Sequence, residues 1–138
     1  MQVQNLITRS LRLIQVIDPL QSVKDQDMET GIFALNGMMA RIEADGTALG
    51  WSPVKNPSDD LPLPPEAYQA IAANLAIVLS PEYGVTAMPT VQAMALQGME
   101  ALYRDVAVAT PIQPILSVPL PENWDSRDLV GASWFAGP

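Results

Sequence analysis

Apolar residues recur at helical spacing in successive blocks along this chain. In the first block Val3, Leu6, Ile7, Leu11, Ile14 and Ile17 make one stripe, which predicts a helix from about Val3 to Ile17. Arg9 and Arg12 fall off that stripe. Asp18-Pro19 is the expected stop, because a residue before proline avoids helical angles. In the second block Met28, Ile32, Leu35, Met39 and Ile42 stand at i, i+4, i+7, i+11 and i+14, which predicts an amphipathic helix from Asp25 to Ala44. Asp45-Gly46 offers a left-handed residue to end it. Gly31 and Gly37 cost helix propensity, so they read as packing sites where another helix comes close.

A loop follows from Thr47 to Leu63, marked by Gly50, Pro53, Asn56, Pro57 and Pro62. Trp51 is its large apolar residue, and it is expected to fold back over the helix ends rather than to stack on a ligand. The third helix starts near Pro64-Pro65-Glu66, where proline is tolerated and the acid favours the positive helix start. Tyr68, Ile71, Leu75 and Val78 give its stripe, and Ala67, Ala70, Ala72, Ala73 and Ala76 keep it slim. Ser80-Pro81 closes it, with a single extra turn over residues 81–83 and a corner from Gly84 to Met88. The fourth helix runs from Pro89 to about Val108, with Val91, Ala95, Met99, Leu102 and Val106 as its apolar face.

From Thr110 the character changes. Pro111, Pro114, Pro119, Pro121 and Pro138 forbid a long helix. Yet Val118, Leu120, Trp124, Trp134 and Phe135 are not the composition of a disordered tail. Pro119 and Pro121 would disable one edge of a strand and leave Leu120 to pair on the other. The segment therefore reads as an arm that docks as an edge strand on another subunit or partner, or else wraps its own body. The expected fold is all-α: a small four-helix bundle over residues 1–109 with an extended, proline-rich C-terminal arm over residues 110–138.

Composition narrows the chemistry. The 138 residues suit one domain, and the chain holds no cysteine and no histidine. That removes disulfides, thiolate metal sites, cysteine nucleophiles and the commonest general base. No cofactor or metal site is expected, and the protein is not expected to be an enzyme. Asp59-Asp60 is the one adjacent acid pair, but Asn56 and Ser58 do not complete a calcium loop, so it reads as a solvated pair. Glu43 and Asp45 do not share a helix face. Tyr83, before Gly84, is expected to pack at the helix corner. A net charge of −8 disfavours binding DNA through a basic face. No transmembrane helix or signal peptide is expected. Of the seven methionines, Met38 lies one residue off its stripe and is the best candidate for an oligomer contact.

Several short motifs also recur in a recognisable order. They are Leu6-Ile-Thr-Arg-Ser-Leu-Arg-Leu-Ile14, Leu35-Asn-Gly-Met-Met-Ala-Arg-Ile42 and Gly50-Trp-Ser-Pro-Val54, followed by Leu63-Pro-Pro-Glu-Ala67, Ala73-Asn-Leu-Ala76 and Ser80-Pro-Glu-Tyr-Gly-Val85. In this order the chain resembles the head-completion adaptors of tailed, mainly short-tailed, bacteriophages, also called packaged-DNA-stabilisation or head-to-tail connector proteins. The resemblance implies a non-catalytic ring of twelve copies under the phage portal protein. Such a ring extends the DNA channel, retains packaged DNA and offers a surface to a downstream nozzle or tail-tube protein. It implies a place at the head-tail junction of the virion after assembly in the host cytoplasm, with DNA passing through without specific binding and no membrane partner. On that reading Val118, Leu120, Trp124, Trp134 and Phe135 contact portal or a neighbouring subunit. Gly31, Gly37, Met38 and Ala73 are the candidate ring contacts. Two rivals stand beside it: a non-viral helical protein-binding regulator, and a carboxylate-only cell-wall hydrolase acting through Asp59 or Glu66.

Overall fold

A computed structural model describes residues 1–47 and 49–109, so the arm and its Val118, Leu120, Trp124, Trp134 and Phe135 lie outside the described residues. The elements are α1 (Val3–Leu13), α2 (Asp25–Ala44), a 3₁₀ turn (Pro65–Ala67), α3 (Tyr68–Leu79) and α4 (Pro89–Ala109). Among the described residues the architecture is all-α, as the apolar periodicity predicts.

Helix α3 is the axis of the fold. Ala70, Ile71, Ala72, Ala73, Leu75, Ala76 and Leu79 are all buried, which takes in most of its circumference. Helices α1 and α2 pack on it and on each other, while α4 packs on α3. The alanines make this possible, because slim side chains let three helices reach one. At the α3–α4 crossing, a side chain on Gly98 would begin 2.6 Å from the Ala70 Cβ. Asn74 bridges the same crossing by donating Nδ2–H to the carbonyls of Ala70 and Ala95 at 2.8 and 3.2 Å. Val78, expected on the buried stripe, is exposed, and Leu79 is buried in its place. In α4, Val91, Ala95 and Leu102 are buried as expected, with Met99 and Val106 half-buried.

The stripe of α1 is buried throughout, but the helix is shorter than its stripe. It ends at Leu13 instead of Ile17. Gln15 takes a left-handed φ of 59°. Its N–H donates to the Arg12 carbonyl, and the Val16 N–H donates back to the Leu11 carbonyl, at 3.0 and 3.1 Å. This is the helix-ending pattern usually built on glycine. Ile14 and Ile17 still reach the core, because the chain turns back toward it. Arg12 secures the turn by donating to the Pro19 carbonyl at 2.9 Å.

Helix α2 has the expected bounds. Asp25 and Asp27 in its first turn and Arg41 in its last complement the helix dipole. Gly46, at φ 96°, and Gly84, at φ 64°, end helical turns in the left-handed region that only glycine enters without strain. Gly46 N–H meets the Glu43 carbonyl at 3.0 Å and Thr47 N–H meets that of Ile42 at 3.3 Å. After α3 the same pattern joins Gly84 to Pro81 and Val85 to Ser80 at 3.2 and 3.0 Å, closing the extra turn.

Candidate interaction surfaces

The loop between α2 and α3 is built by side chains of α2. Asn36 pairs with Val54 as a second backbone would: its Nδ2–H donates to the Val54 carbonyl at 2.8 Å, and its Oδ1 accepts the Val54 N–H at 3.0 Å. One helical stretch further on, Glu43 Oε1 accepts the Trp51 N–H at 2.7 Å. Trp51 packs half-buried against the core, as expected, with its indole N–H buried and lacking a protein acceptor. Beyond Val54, the Asp59 carboxylate accepts the N–H groups of Lys55 and Asn56 at 3.0 and 2.8 Å. These bonds hold the Asp59 carboxyl below its ordinary range, the Asn56 N–H contributing most.

That folded loop caps α1. No side chain caps the first turn of α1. Instead the Asp59 carbonyl accepts the Val3 N–H at 3.0 Å, and the Pro57 carbonyl accepts the Gln4 N–H at 2.9 Å. Two orphan helix donors are thereby satisfied by backbone more than fifty residues away. The terminal ammonium lies 3.9 Å from Asp60. Asp59 and Asp60 thus organise a loop. A glycosidase acid needs a raised pKa, the opposite of what Asp59 shows. Glu66 lies on a shallow groove of about 320 Å³ between α3 and α4, with Gln69, Gln97 and Asp105. No cluster of potential metal ligands occurs among the described residues, and no described helix is long and apolar enough to cross a membrane.

The expected ring residues divide into two pairs. Gly31 is buried, and a side chain there would begin 2.6 Å from the Ile7 Cγ2, so its place is the α1–α2 crossing within one protomer. Ala73 is fully buried in α3. Neither is open to a neighbouring copy: their small size serves packing inside the chain. Gly37 is exposed, with nothing within 4 Å of the position a side chain would take, and Met38 is half-buried beside it.

Besides Val78, several exposed apolar residues were missed in the sequence because they lie off the stripes. Phe33 on α2 is 80% exposed, and on α4 Leu96 and Val108 are 64% and 81% exposed. Tyr103, one helical heptad beyond Leu96, joins them. An unexplained aromatic on the polar face of a strong amphipathic pattern was the available signal for Phe33. Tyr83 packs at the corner after α3, as expected, and donates its hydroxyl to Asp27 at 2.9 Å, tying that corner to the start of α2.

The described body therefore leaves single apolar side chains bare on two helices, Phe33 on α2 and Leu96, Tyr103 and Val108 on α4, with α3 between the two. A family model, that of the P22 tail accessory factor, matches residues 4–136, which takes in both the helical body and nearly all of the segment after it.

Proposed function

The chain belongs to the P22 tail accessory factor family, a family of phage tail-associated structural proteins, and from that premise we propose that it is a head-to-tail adaptor. Copies form a ring under the portal, extend the DNA channel, retain the packaged genome and present the attachment surface for the next tail component. The carrying observation is that large apolar side chains stand exposed on two separate faces, Phe33 on α2 and Leu96 and Tyr103 on α4. A closed ring needs head-to-tail contacts between unlike surfaces of one subunit, and these faces flank the central helix.

On this reading Gly37 and Met38 contribute to the ring contact. Gly31 and Ala73 contribute by fixing the helices that carry it. The arm residues Val118, Leu120, Trp124, Trp134 and Phe135 engage portal or a neighbouring subunit, since apolar side chains in that number require burial. The net charge of −8 suits a channel past which DNA slides without sticking. The place of action is the head-tail junction of the virion, reached by assembly in the host cytoplasm. Electron microscopy of the protein mixed with a portal ring tests the proposal. An annular density beneath the portal is expected, and portal rings that remain bare would overturn it.

A further inference from the structure

Asn36-Gly37 is the only Asn-Gly pair in the chain, and it stands inside α2. After an asparagine, glycine leaves its own backbone nitrogen the freest approach to the side-chain amide before it, because it has no Cβ to obstruct that approach. Among the described residues nothing requires glycine here. Its φ lies outside the left-handed region, and a side chain would meet no atom within 4 Å. Asn36 is different, because both ends of its amide are engaged. Its Nδ2–H donates to the Val54 carbonyl at 2.8 Å, and its Oδ1 accepts the Val54 N–H at 3.0 Å.

We propose that Asn36 is a deamidation site that the folded chain locks and the unfolded chain opens. In the unfolded chain the Gly37 nitrogen, its proton taken by solvent base, attacks Asn36 Cγ. The N–Cγ bond forms, the Cγ–Nδ2 bond breaks, and Nδ2 leaves as ammonia with a proton from water. Water then opens the resulting cyclic imide at either carbonyl. One opening leaves aspartate at position 36. The other leaves an isoaspartyl linkage, with the main chain routed through the side chain. The sum is amide plus water giving acid plus ammonia, with no oxidant involved. In the folded chain both reacting groups are engaged. Within a helix the Gly37 N–H donates to the carbonyl one turn back, and the Asn36 amide is turned onto Val54. Deamidation must therefore wait for α2 to open, and its rate follows the open population.

The product cannot restore the clamp. A carboxylate still accepts from the Val54 N–H but has nothing to donate to the Val54 carbonyl, which then faces negative charge. An isoaspartyl linkage does more. It adds a backbone atom to the helix and shifts every position beyond it, including Glu43, whose carboxylate accepts the Trp51 N–H. The loop so loosened is the one whose Pro57 and Asp59 carbonyls cap α1. One lost amide is thereby felt from the middle of α2 to the start of α1, and a chain that has aged while unfolded refolds to a weakened body. This chemistry does not depend on the ring reading.

Peptide mass spectrometry of the full chain, incubated in mildly alkaline buffer with and without guanidinium chloride, tests the proposal. In denaturant the peptide holding Asn36 should gain the mass difference between amide and acid at least about a hundredfold faster than in native buffer. Gly37→Ala should slow that gain markedly in denaturant, while the melting temperature holds or rises. Wild-type protein aged in denaturant and then refolded should melt about 5 °C below fresh refolded protein. Its Val3 and Gln4 amides, which donate to the loop, should exchange hydrogen faster. Gly37→Ala protein aged and refolded in the same way should match its own fresh form, which ties the loss to Asn36. Equal rates with and without denaturant would mean that the fold gives no protection. Aged wild-type protein that regains the melting temperature and amide exchange of fresh protein would mean that the clamp is dispensable. Either result overturns the proposal.

Discussion

Leu35 and Phe33 stand two residues apart on α2 and face opposite ways. Leu35 has no exposed surface, while Phe33 leaves 80% of its own in water. The inner face of this helix is occupied by α1 and α3, and its outer face is open at Phe33 and Gly37. Hydrophobic residues on the inner face specify the fold, and on the outer face they are free to specify a partner. The distinction is physical: removing the first leaves a cavity, and removing the second changes only hydration. Leu35→Ala should cost about 3 kcal/mol of stability, the transfer loss plus the cavity. Phe33→Ser should change stability by less than about 0.5 kcal/mol. Chemical denaturation at low protein concentration measures both. A large loss on Phe33→Ser would show that the outer face is part of the core after all.

The two glycines of α2 sharpen the same contrast with opposite signs. A methyl group on Gly31 would press on the branched carbon of buried Ile7, which is stiff about its first torsion. Gly31→Ala should destabilise by about 1–2 kcal/mol, overpacking outweighing the gain in helix propensity. Gly37→Ala meets no atom and should stabilise by about 1 kcal/mol. Equal effects at the two sites, in a thermal melt of each variant, would erase the distinction between the faces.

A third probe addresses what fixes α2 in place. Tyr83 reaches from the corner after α3 to Asp27 in the first turn of α2. Burial, then the Asp27 hydrogen bond, push its phenol up to about 12. The folded protein thus holds this proton more tightly than the unfolded chain does. The associated stability is full below a pH of about 10 and is lost as pH rises from there through about 12. Tyr83→Phe should cost about 1 kcal/mol at neutral pH. It should also flatten the alkaline fall in stability, and an unchanged alkaline profile would mean that another group carries it.

Much of this was legible in the sequence where a residue type has one physical use. The bounds of α2 followed from its stripe and from Gly46, and the turn after α3 followed from Ser80-Pro81 and Gly84. The slimness of α3 followed from its alanines. Less legible was where small residues point. Gly31 and Gly37 look alike in a sequence, and only the position of Ile7 separates a crossing from an open face. Least legible were the long-range backbone bonds from Pro57 and Asp59 to the start of α1, because carbonyl groups leave no mark in residue type. The Asn36 and Glu43 clamps were equally hidden, since a polar residue on a helix flank has many possible partners.

The end of α1 is the case where the usual signal was absent. Its stripe continues to Ile17, yet the helix stops at Leu13 because Gln15 enters the left-handed region. An L-residue there costs about 1–2 kcal/mol relative to its ordinary conformations. Glycine would relieve that strain but gives up more chain entropy on folding, about 0.5–1 kcal/mol. Gln15→Gly should therefore stabilise by about 0.5 kcal/mol, a small effect opposite in sign to Gly31→Ala. Both changes concern backbone room: position 15 needs a residue free to turn, and position 31 needs one with no side chain. If Gln15→Gly instead destabilises the protein in a denaturant titration, the turn is held by the Gln15 side chain, and the burial of Ile14 and Ile17 then depends on that residue as well as on their own apolar spacing.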